Sequence, residues 1–332
     1  MAEYKGVMVF CEVAREKLAA IAAEGLGCGR KLADSLGQPL IAVIAGSGIS
    51  AMAKDAISSG ADKVYVIDEP VLKDYQSDAY LAAMDKLVKQ VSPRILILGQ
   101  TSIGRDLSPR LAFRLGTTAT LDCIDLAIDP ASKNLVQTKP VYGGNAQALF
   151  TSDTFPQIAT IRSKAMSPLE PNLSRQGEVI KFEAGVDPSI IKAKLANKVV
   201  AEVAGVKLED ARVVVAGGRG IGGPEGFKQL DELARLLKGA IGASRPPCDN
   251  GWVPDTVQIG LTGKIVAPEL YFAVAISGSS QHMSGCSGCK SIVAINKDAE
   301  ANIFREARFG VVGDWKKILP AFTAKVKELL AA

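Results

Sequence analysis

A strand-like run, Val213-Val214-Val215-Ala216, leads directly into Gly218-Arg219-Gly220-Ile221-Gly222-Gly223, and helical periodicity follows from about Glu225 to Leu237. Strand, glycine loop and helix in that order form the setting of a dinucleotide fingerprint. The missing side chains of Gly218, Gly220 and Gly223 would let a pyrophosphate approach backbone N–H groups at a helix N-terminus. A tight strand-to-helix turn with no ligand uses the same residues. An ordinary NAD site places an acid about 20 residues further on to hold the ribose hydroxyls; here Ser244-Arg245 stands instead. An arginine there could meet the 2′-phosphate of NADP or sit over an electron-rich group such as a reduced flavin ring.

Three further strand ends carry polar residues. Gly260-Leu261-Thr262-Gly263-Lys264 precedes an apolar run, Leu270 to Ile276, that ends in Ser277-Gly278-Ser279-Ser280-Gln281-His282. A run from Ser291 to Ile295 ends in Asn296-Lys297-Asp298, and another ends at Gly313-Asp314. Each alone reads as a solvated loop. Together they form one rim at the carboxyl ends of strands, where ligands bind in open α/β sheets. The Gly-Lys pair lacks the preceding spacing of a Walker A loop, which argues against nucleotide hydrolysis. His282 is the single histidine of the chain, which removes every two-histidine metal site and leaves any Ser-His triad one possible base. It reads equally as a donor to a cofactor carbonyl or as a satisfied surface histidine. Cys286-Ser-Gly-Cys289 reads as a redox pair, as two metal ligands with Cys248, or, most simply, as free thiols; no metal is expected.

The elements that must carry these residues follow βαβ grammar. In the first half, Val7 to Cys11, Leu40 to Ala45, Lys63 to Ile67 and Arg94 to Leu98 read as strands with helices between, which predicts a parallel sheet covered on both faces. From about Thr118 helical periodicity gives way to apolar runs, Thr120 to Ile128, Asn134 to Tyr142, Ala146 to Phe150 and Gln157 to Ile161. These read as strands extending the first domain, with Gly143-Gly144-Asn145 as a turn. A joining stretch, roughly Pro168 to Leu208, precedes the second βαβ series. The expected fold is α/β in two domains: an N-terminal Rossmann-like, nucleotide-hydrolase-like parallel sheet over residues 1–205, and a doubly wound domain over residues 206–332.

Of the 332 residues, 48% are hydrophobic and 22% charged, ordinary globular values. The net charge of +4 comes from 39 basic and 35 acidic residues that are interspersed, so nucleic acid is not an expected partner. No apolar stretch reaches the roughly 18 residues needed to cross a bilayer, and the start of the chain reads as free of a signal segment. Six cysteines are too sparse for a disulfide scaffold and suit a reducing cytoplasm.

Gly217-Gly218-Arg219-Gly220, Ala243-Ser244-Arg245, Thr262-Gly263-Lys264-Ile265-Val266-Ala267-Pro268-Glu269-Leu270-Tyr271, Ile276-Ser277-Gly278 with Gln281-His282, and Val293 to Asp298 follow one another in an order that resembles the alpha subunit of electron transfer flavoproteins. Gly104-Arg105-Asp106-Leu107-Ser108-Pro109-Arg110-Leu111 and Gly143-Gly144-Asn145 extend the resemblance over nearly the whole chain. It implies FAD held mainly by the C-terminal domain, in a heterodimer with a smaller beta subunit. It implies FAD contacts at Arg219, Ser244, Arg245, Thr262, Gly263, Ser277, Gly278, Ser280, Gln281, His282, Asn296 and Asp314. Under that resemblance Arg245 lies near the isoalloxazine and raises its potential, and His282 and Thr262 also meet the ring. Ser277, Gln281 and Asn296 hold the ribityl and phosphate portion, and Asp314 the adenosine end. The implied role is an electron carrier from soluble flavin dehydrogenases of the acyl-CoA type, in fatty acid β-oxidation, to a membrane-associated quinone oxidoreductase. Bifurcation with NADH and ferredoxin remains open within the family. Outside it stand a free-standing NADP-dependent oxidoreductase and a non-catalytic nucleotide module. Leu261, where the family commonly has glutamine, and Pro246-Pro247-Cys248, where it has small residues, depart from the pattern. The prolines should stiffen the segment carrying Arg245. The Cys286/Cys289 pair is not something the family requires.

Overall fold

A computed structural model describes residues 3–14, 17–144, 146–193, 195–197 and 206–331. The chain divides into two compact units, residues 1–140 with 147–199, and residues 141–146 with 200–332. The expected boundary at 205/206 falls at the edge of residues outside the described set, and Asn145 of the expected turn lies outside it.

In the first unit the elements run β1 (Val7–Cys11), a two-residue ribbon of β2 (Val13–Ala14) and β3 (Lys17–Leu18), α1 (Ala20–Leu36), β4 (Leu40–Gly46), α2 (Ala53–Ser58), β5 (Lys63–Asp68), α3 (Ser77–Val91), β6 (Ile95–Gly99) and α4 (Ser102–Leu115). They continue with β7 (Ala119–Cys123), β8 (Asp125–Ile128), β9 (Leu135–Val141), β10 (Ala146–Phe150), β11 (Gln157–Ile161) and β12 (Glu178–Lys181). Seven strands form a parallel sheet ordered β12-β5-β4-β1-β6-β11-β7. Every residue of β1, β4, β6 and β11 is buried, as expected where helices cover both faces of a parallel sheet. The period of two sorts β1: Val7, Val9 and Cys11 enter one core with α1, while Met8 and Phe10 enter the other with α3.

Two expectations for this unit need correction. The run from Thr120 to Ile128 is not one strand. Asp122 takes a positive φ of 66° and its carboxylate pairs with Arg162 at 2.6 Å, so the chain leaves the large sheet and starts β8, which joins a separate sheet β10-β9-β8. The joining stretch, for its part, contains a strand: β12 pairs with β5 at the sheet edge. Its four residues, Glu-Val-Ile-Lys, are mostly exposed, so they carry none of the apolar periodicity that marks a central strand.

The second unit runs β13 (Val213–Gly217), α5 (Pro224–Leu236), β14 (Ala240–Ala243), α6 (Arg245–Asp249), β15 (Leu270–Val274), α7 (Ser280–Met283), β16 (Ile292–Asn296), α8 (Ile303–Glu306), β17 (Phe309–Val312) and α9 (Trp315–Ala331). Its parallel five-stranded sheet is ordered β14-β13-β15-β16-β17. The chain therefore builds outward from β13 in both directions, and the order reverses between β13 and β15. Val214, Ala216, Tyr271 and Ala273 face one core; Val215, Phe272 and Val274 face the other, under α5 and α9. The unit is the expected doubly wound domain. Among the described residues no helix is long and apolar enough to cross a membrane.

Candidate functional site

The loops at the carboxyl ends of β13, β14, β15 and β16 enclose a cleft of about 770 Å³. It lies at the reversal of strand order, where the first turns of two crossovers diverge and leave a crevice. Its volume is in the upper part of the usual small-ligand range of about 300–1,000 Å³. The sheet order cannot be read from sequence, so this juxtaposition is the main thing the structure adds.

The glycine loop forms the first wall. Gly218 N–H donates to Val274 O at 2.9 Å, tying the end of β13 to β15. A Cβ on Gly218 would stand 2.0 Å from Ala275 O and 2.8 Å from Ile276 Cα. Gly218 is thus required first by the approach of two strand ends. A short 3₁₀ turn over Arg219–Ile221 follows, closed by Gly222 at φ 85°, and Arg219 and Gly220 line the cleft.

Ser244 and Arg245 follow β14. Ser244 N–H donates to Gly217 O at 3.0 Å, so the serine sits beside the glycine loop, buried. Arg245 opens α6, with the two prolines in its first turn, where a fixed φ and a missing N–H are compatible with a helix start. Arg245 Nε lies 3.2 Å from Asp249 Oδ2, and the arginine side chain remains 66% exposed.

Opposite stands the loop from Gln258 to Lys264. Ile259 N–H bonds Ala243 O at 2.8 Å and Lys264 N–H bonds Gln258 O at 2.7 Å, while Leu261 N–H reaches Gln281 O at 2.8 Å. Gln258 Nε2 donates to Thr262 Oγ1 at 3.0 Å. Lys264 forms an ion pair with Glu209 that holds the loop from behind.

His282 is buried in this wall, which excludes the surface-histidine reading. Its Nδ1 is 3.1 Å from Ile259 O and its Nε2 is 2.8 Å from Tyr271 Oη. A carbonyl only accepts, so Nδ1 carries a proton; in the neutral ring Nε2 then accepts from the tyrosine hydroxyl. Tyr271 has no solvent exposure, and burial pushes its phenol well above the usual range. Both ring nitrogens are therefore spent inside the protein. The expected bond from the His282 ring to a flavin carbonyl is not open in this arrangement unless one partner is exchanged.

Eight of the expected contacts, Arg219, Ser244, Arg245, Thr262, Ser277, Gln281, His282 and Asn296, line this one cleft. Four do not. Gly263 is where the loop folds back, since a Cβ there would meet Gln258 O at 2.5 Å. Gly278, at φ 79°, lies against Ile303 N. Ser280 begins α7 and faces a different cavity. Asp314 accepts from Lys316 N–H at 3.0 Å and caps α9. Asn296 reaches the cleft but is anchored, its Nδ2 donating to Ile276 O at 2.9 Å and its Oδ1 accepting from Asp298 N–H at 3.0 Å.

Sequence reasoning did not choose Gln258 or Lys297 as contacts, although both line the cleft. Lys297 carried a signal, lying next to Asn296 at a strand end. Gln258 carried none, because its place depends on the fold-back to Lys264. The lining mixes apolar Ile259, Leu261 and Ile276 with Arg219, Arg245 and Lys297. Among the described residues neither Arg219 nor Lys297 has a carboxylate partner. An apolar wall beside uncommitted cations fits a ligand with a flat apolar ring system and an anionic pyrophosphate.

Fold and site together define a nucleotide-cofactor-binding α/β protein. The family model for the electron transfer flavoprotein domain matches residues 7–187, and that for the electron transfer flavoprotein FAD-binding domain matches residues 207–287. The chain is 44% identical to an electron transfer flavoprotein subunit alpha of Thermoanaerobacterium thermosaccharolyticum, over 99% of this chain and 100% of that one. It is 41% identical to the corresponding subunit of Megasphaera elsdenii, over 99% and 98%, and 38% identical to Protein FixB of Clostridium saccharobutylicum, over 100% and 99%. The chain belongs to the electron transfer flavoprotein alpha-subunit family.

Proposed function

We propose that this chain holds FAD in the cleft of its second unit and relays electrons as the large subunit of a heterodimer with a smaller beta subunit. In this reading it accepts electrons from soluble flavin dehydrogenases of the acyl-CoA type, in fatty acid β-oxidation, and passes them to a membrane-associated quinone oxidoreductase. The observation that carries the reading is the convergence of eight expected contacts on one cleft at the strand-order reversal.

The flavin supplies the redox chemistry; the protein binds, orients and biases it. Arg219 and Lys297 are the cations for the pyrophosphate. Ser244, Ser277, Thr262 and Gln281 offer hydroxyl and amide groups to the polar parts of the cofactor. Arg245 favours negative charge on a reduced ring by direct attraction. His282 orients the wall by joining Ile259 to Tyr271. We place the protein in the cytoplasm and the domain boundary near 205/206.

The test is to co-express the chain with its beta subunit, count flavins per complex, and record visible spectra during stepwise reduction. One FAD per heterodimer, reduced by an acyl-CoA dehydrogenase and not by NADH, is expected. Two flavins reduced by NADH would move the reading to bifurcation, and a colourless complex that cannot be reconstituted with FAD would overturn it.

A further inference from the structure

Away from the flavin cleft, α7 is followed by two successive turns that carry Cys286 and Cys289. Cys286 N–H bonds Met283 O at 3.0 Å, and Cys289 N–H bonds Cys286 O at 3.1 Å. A hydrogen bond from residue i+3 back to residue i closes a turn with Cα atoms less than about 7 Å apart. That is the separation a disulfide spans, usually about 4.4–6.8 Å. Cys286 has no solvent exposure, while Cys289 is half-buried and packs on the same core. The neighbouring Cys289 side chain and then burial hold the Cys286 thiol well above its usual range. This is the arrangement of an accessible attacking sulfur with a second thiol waiting behind it. The other four cysteines, Cys11, Cys28, Cys123 and Cys248, are all buried.

Cys289 also lines a second cavity of about 540 Å³. Lys290, Arg305 and Arg308 line it too, with Glu306 in the lining and Glu269 3.8 Å from Lys290 as the carboxylates beside them, and with Ser280, Ser291 and Asn302 among the hydrogen-bonding groups. A cleft of that charge concentrates anions. The electron-relay reading does not use it, and of the expected flavin contacts only Gly278 and Ser280 line it.

We propose that Cys286 and Cys289 form a reversible dithiol–disulfide site, with the basic cleft of Lys290, Arg305 and Arg308 admitting an anionic low-molecular-weight disulfide as oxidant. The sulfur of Cys289, as thiolate, attacks one sulfur of the small disulfide. Its S–S bond breaks and one small thiolate leaves with the electron pair and takes up the proton. Cys286 gives up its proton and attacks Cys289 in the mixed disulfide, releasing the second small thiol. The pair loses two electrons and two protons, and the small disulfide gains both. Oxidation also removes the Cys286 S–H group, which in the reduced state donates to His282 O at 3.6 Å. The redox state is thereby felt at the backbone of a residue lining the flavin cleft.

The proposal does not depend on the FAD reading, and its test reads mass rather than activity. The full-length chain is incubated with oxidised glutathione, acid-quenched, alkylated, digested and weighed. The peptide holding Cys286 and Cys289 is expected to lose two hydrogen atoms, reversibly with dithiothreitol. Cys286→Ser should instead trap glutathione on Cys289. At low salt, anionic oxidised glutathione should react about tenfold faster than cationic cystamine, and Arg305→Glu with Arg308→Glu should invert that order. Alkylation of both thiols at every glutathione ratio, no adduct in Cys286→Ser, or equal rates for the two reagents would each overturn the proposal.

Discussion

Tyr271→Phe deletes one oxygen and tests how the wall of the cleft is held. The lost hydroxyl is the 2.8 Å partner of His282 Nε2, on a side chain with no exposure, facing an imidazole that is 5% exposed. Water does not replace it, so a buried acceptor is left unpaired, at a cost of about 1–3 kcal/mol. Phenylalanine keeps the ring and nearly all the volume, so no cavity term is added. The expected loss is about 2 kcal/mol of unfolding free energy in the second unit. Both tryptophans of the chain, Trp252 and Trp315, lie in that unit, so their fluorescence in a urea titration follows it separately from the first. In a His282→Ala background the acceptor is gone, and the same tyrosine substitution should cost less than half as much. A single-mutant loss under about 0.5 kcal/mol, or an undiminished loss in the double mutant, would refute the assignment of the pair as a buried strut.

The remaining predictions concern charge and backbone. Arg245→Ala should lower the midpoint potential of bound flavin by tens of millivolts, the order one partly screened cation contributes; an unchanged potential in spectroelectrochemical titration would remove the arginine from that role. Glu24 is buried in the first unit, and burial raises its carboxyl from 4.5 to about 7 against the bond from Lys164 N–H. A raised folded pKa gives stability that is complete below the unfolded value and is lost as pH rises through about 7. Discounted for solvent screening, about 2 kcal/mol should disappear between mildly acidic and mildly alkaline conditions. In Glu24→Gln that slope should vanish from urea midpoints followed by circular dichroism, leaving the smaller one from Glu12, raised by burial to about 6. Gly218→Ala should leave the second unit unfolded or unable to retain flavin, because its Cβ would meet backbone atoms and not a side chain that can swing away; a normally folded, flavin-loaded variant would contradict this.

What was legible in the sequence was what depends on near neighbours. β1, β4 and β6 stood out because short unbroken apolar runs bounded by helical stretches suit strands buried on both faces, and β5 because its Val64, Val66 and Ile67 continue the same alternation. The glycine loop and the serine-rich end of β15 were visible because strand, turn and helix signals fall within a few residues. The partners of His282 were not visible. Ile259 and Tyr271 lie 23 and 11 residues from it in sequence, and only the fold-back at Gly263 and the passage of β15 through the core bring them together. The same holds for β12, whose exposed residues serve a sheet edge, and for the break at Asp122, where an ion pair to a residue 40 positions away redirects the chain. The resemblance supplied the list of contacts; the strand order supplied the reason that eight of them meet.

The chemistry left available at the cleft separates a relay from a free-standing dehydrogenase. A dehydrogenase acting on an alcohol or carbonyl needs a group poised to exchange a proton with substrate. The chain has one histidine, and both of its ring nitrogens are bonded within the protein. The acids at the cleft are also engaged: Asp249 faces Arg245 at 3.2 Å, and Asp298 accepts the N–H of Glu300 at 3.0 Å. What remains open toward the cavity is positive charge, hydroxyl and amide groups, and apolar surface, which bind a cofactor and set its electrostatics without moving protons. That inventory favours electron transfer through a held flavin over the NADP-dependent alternative.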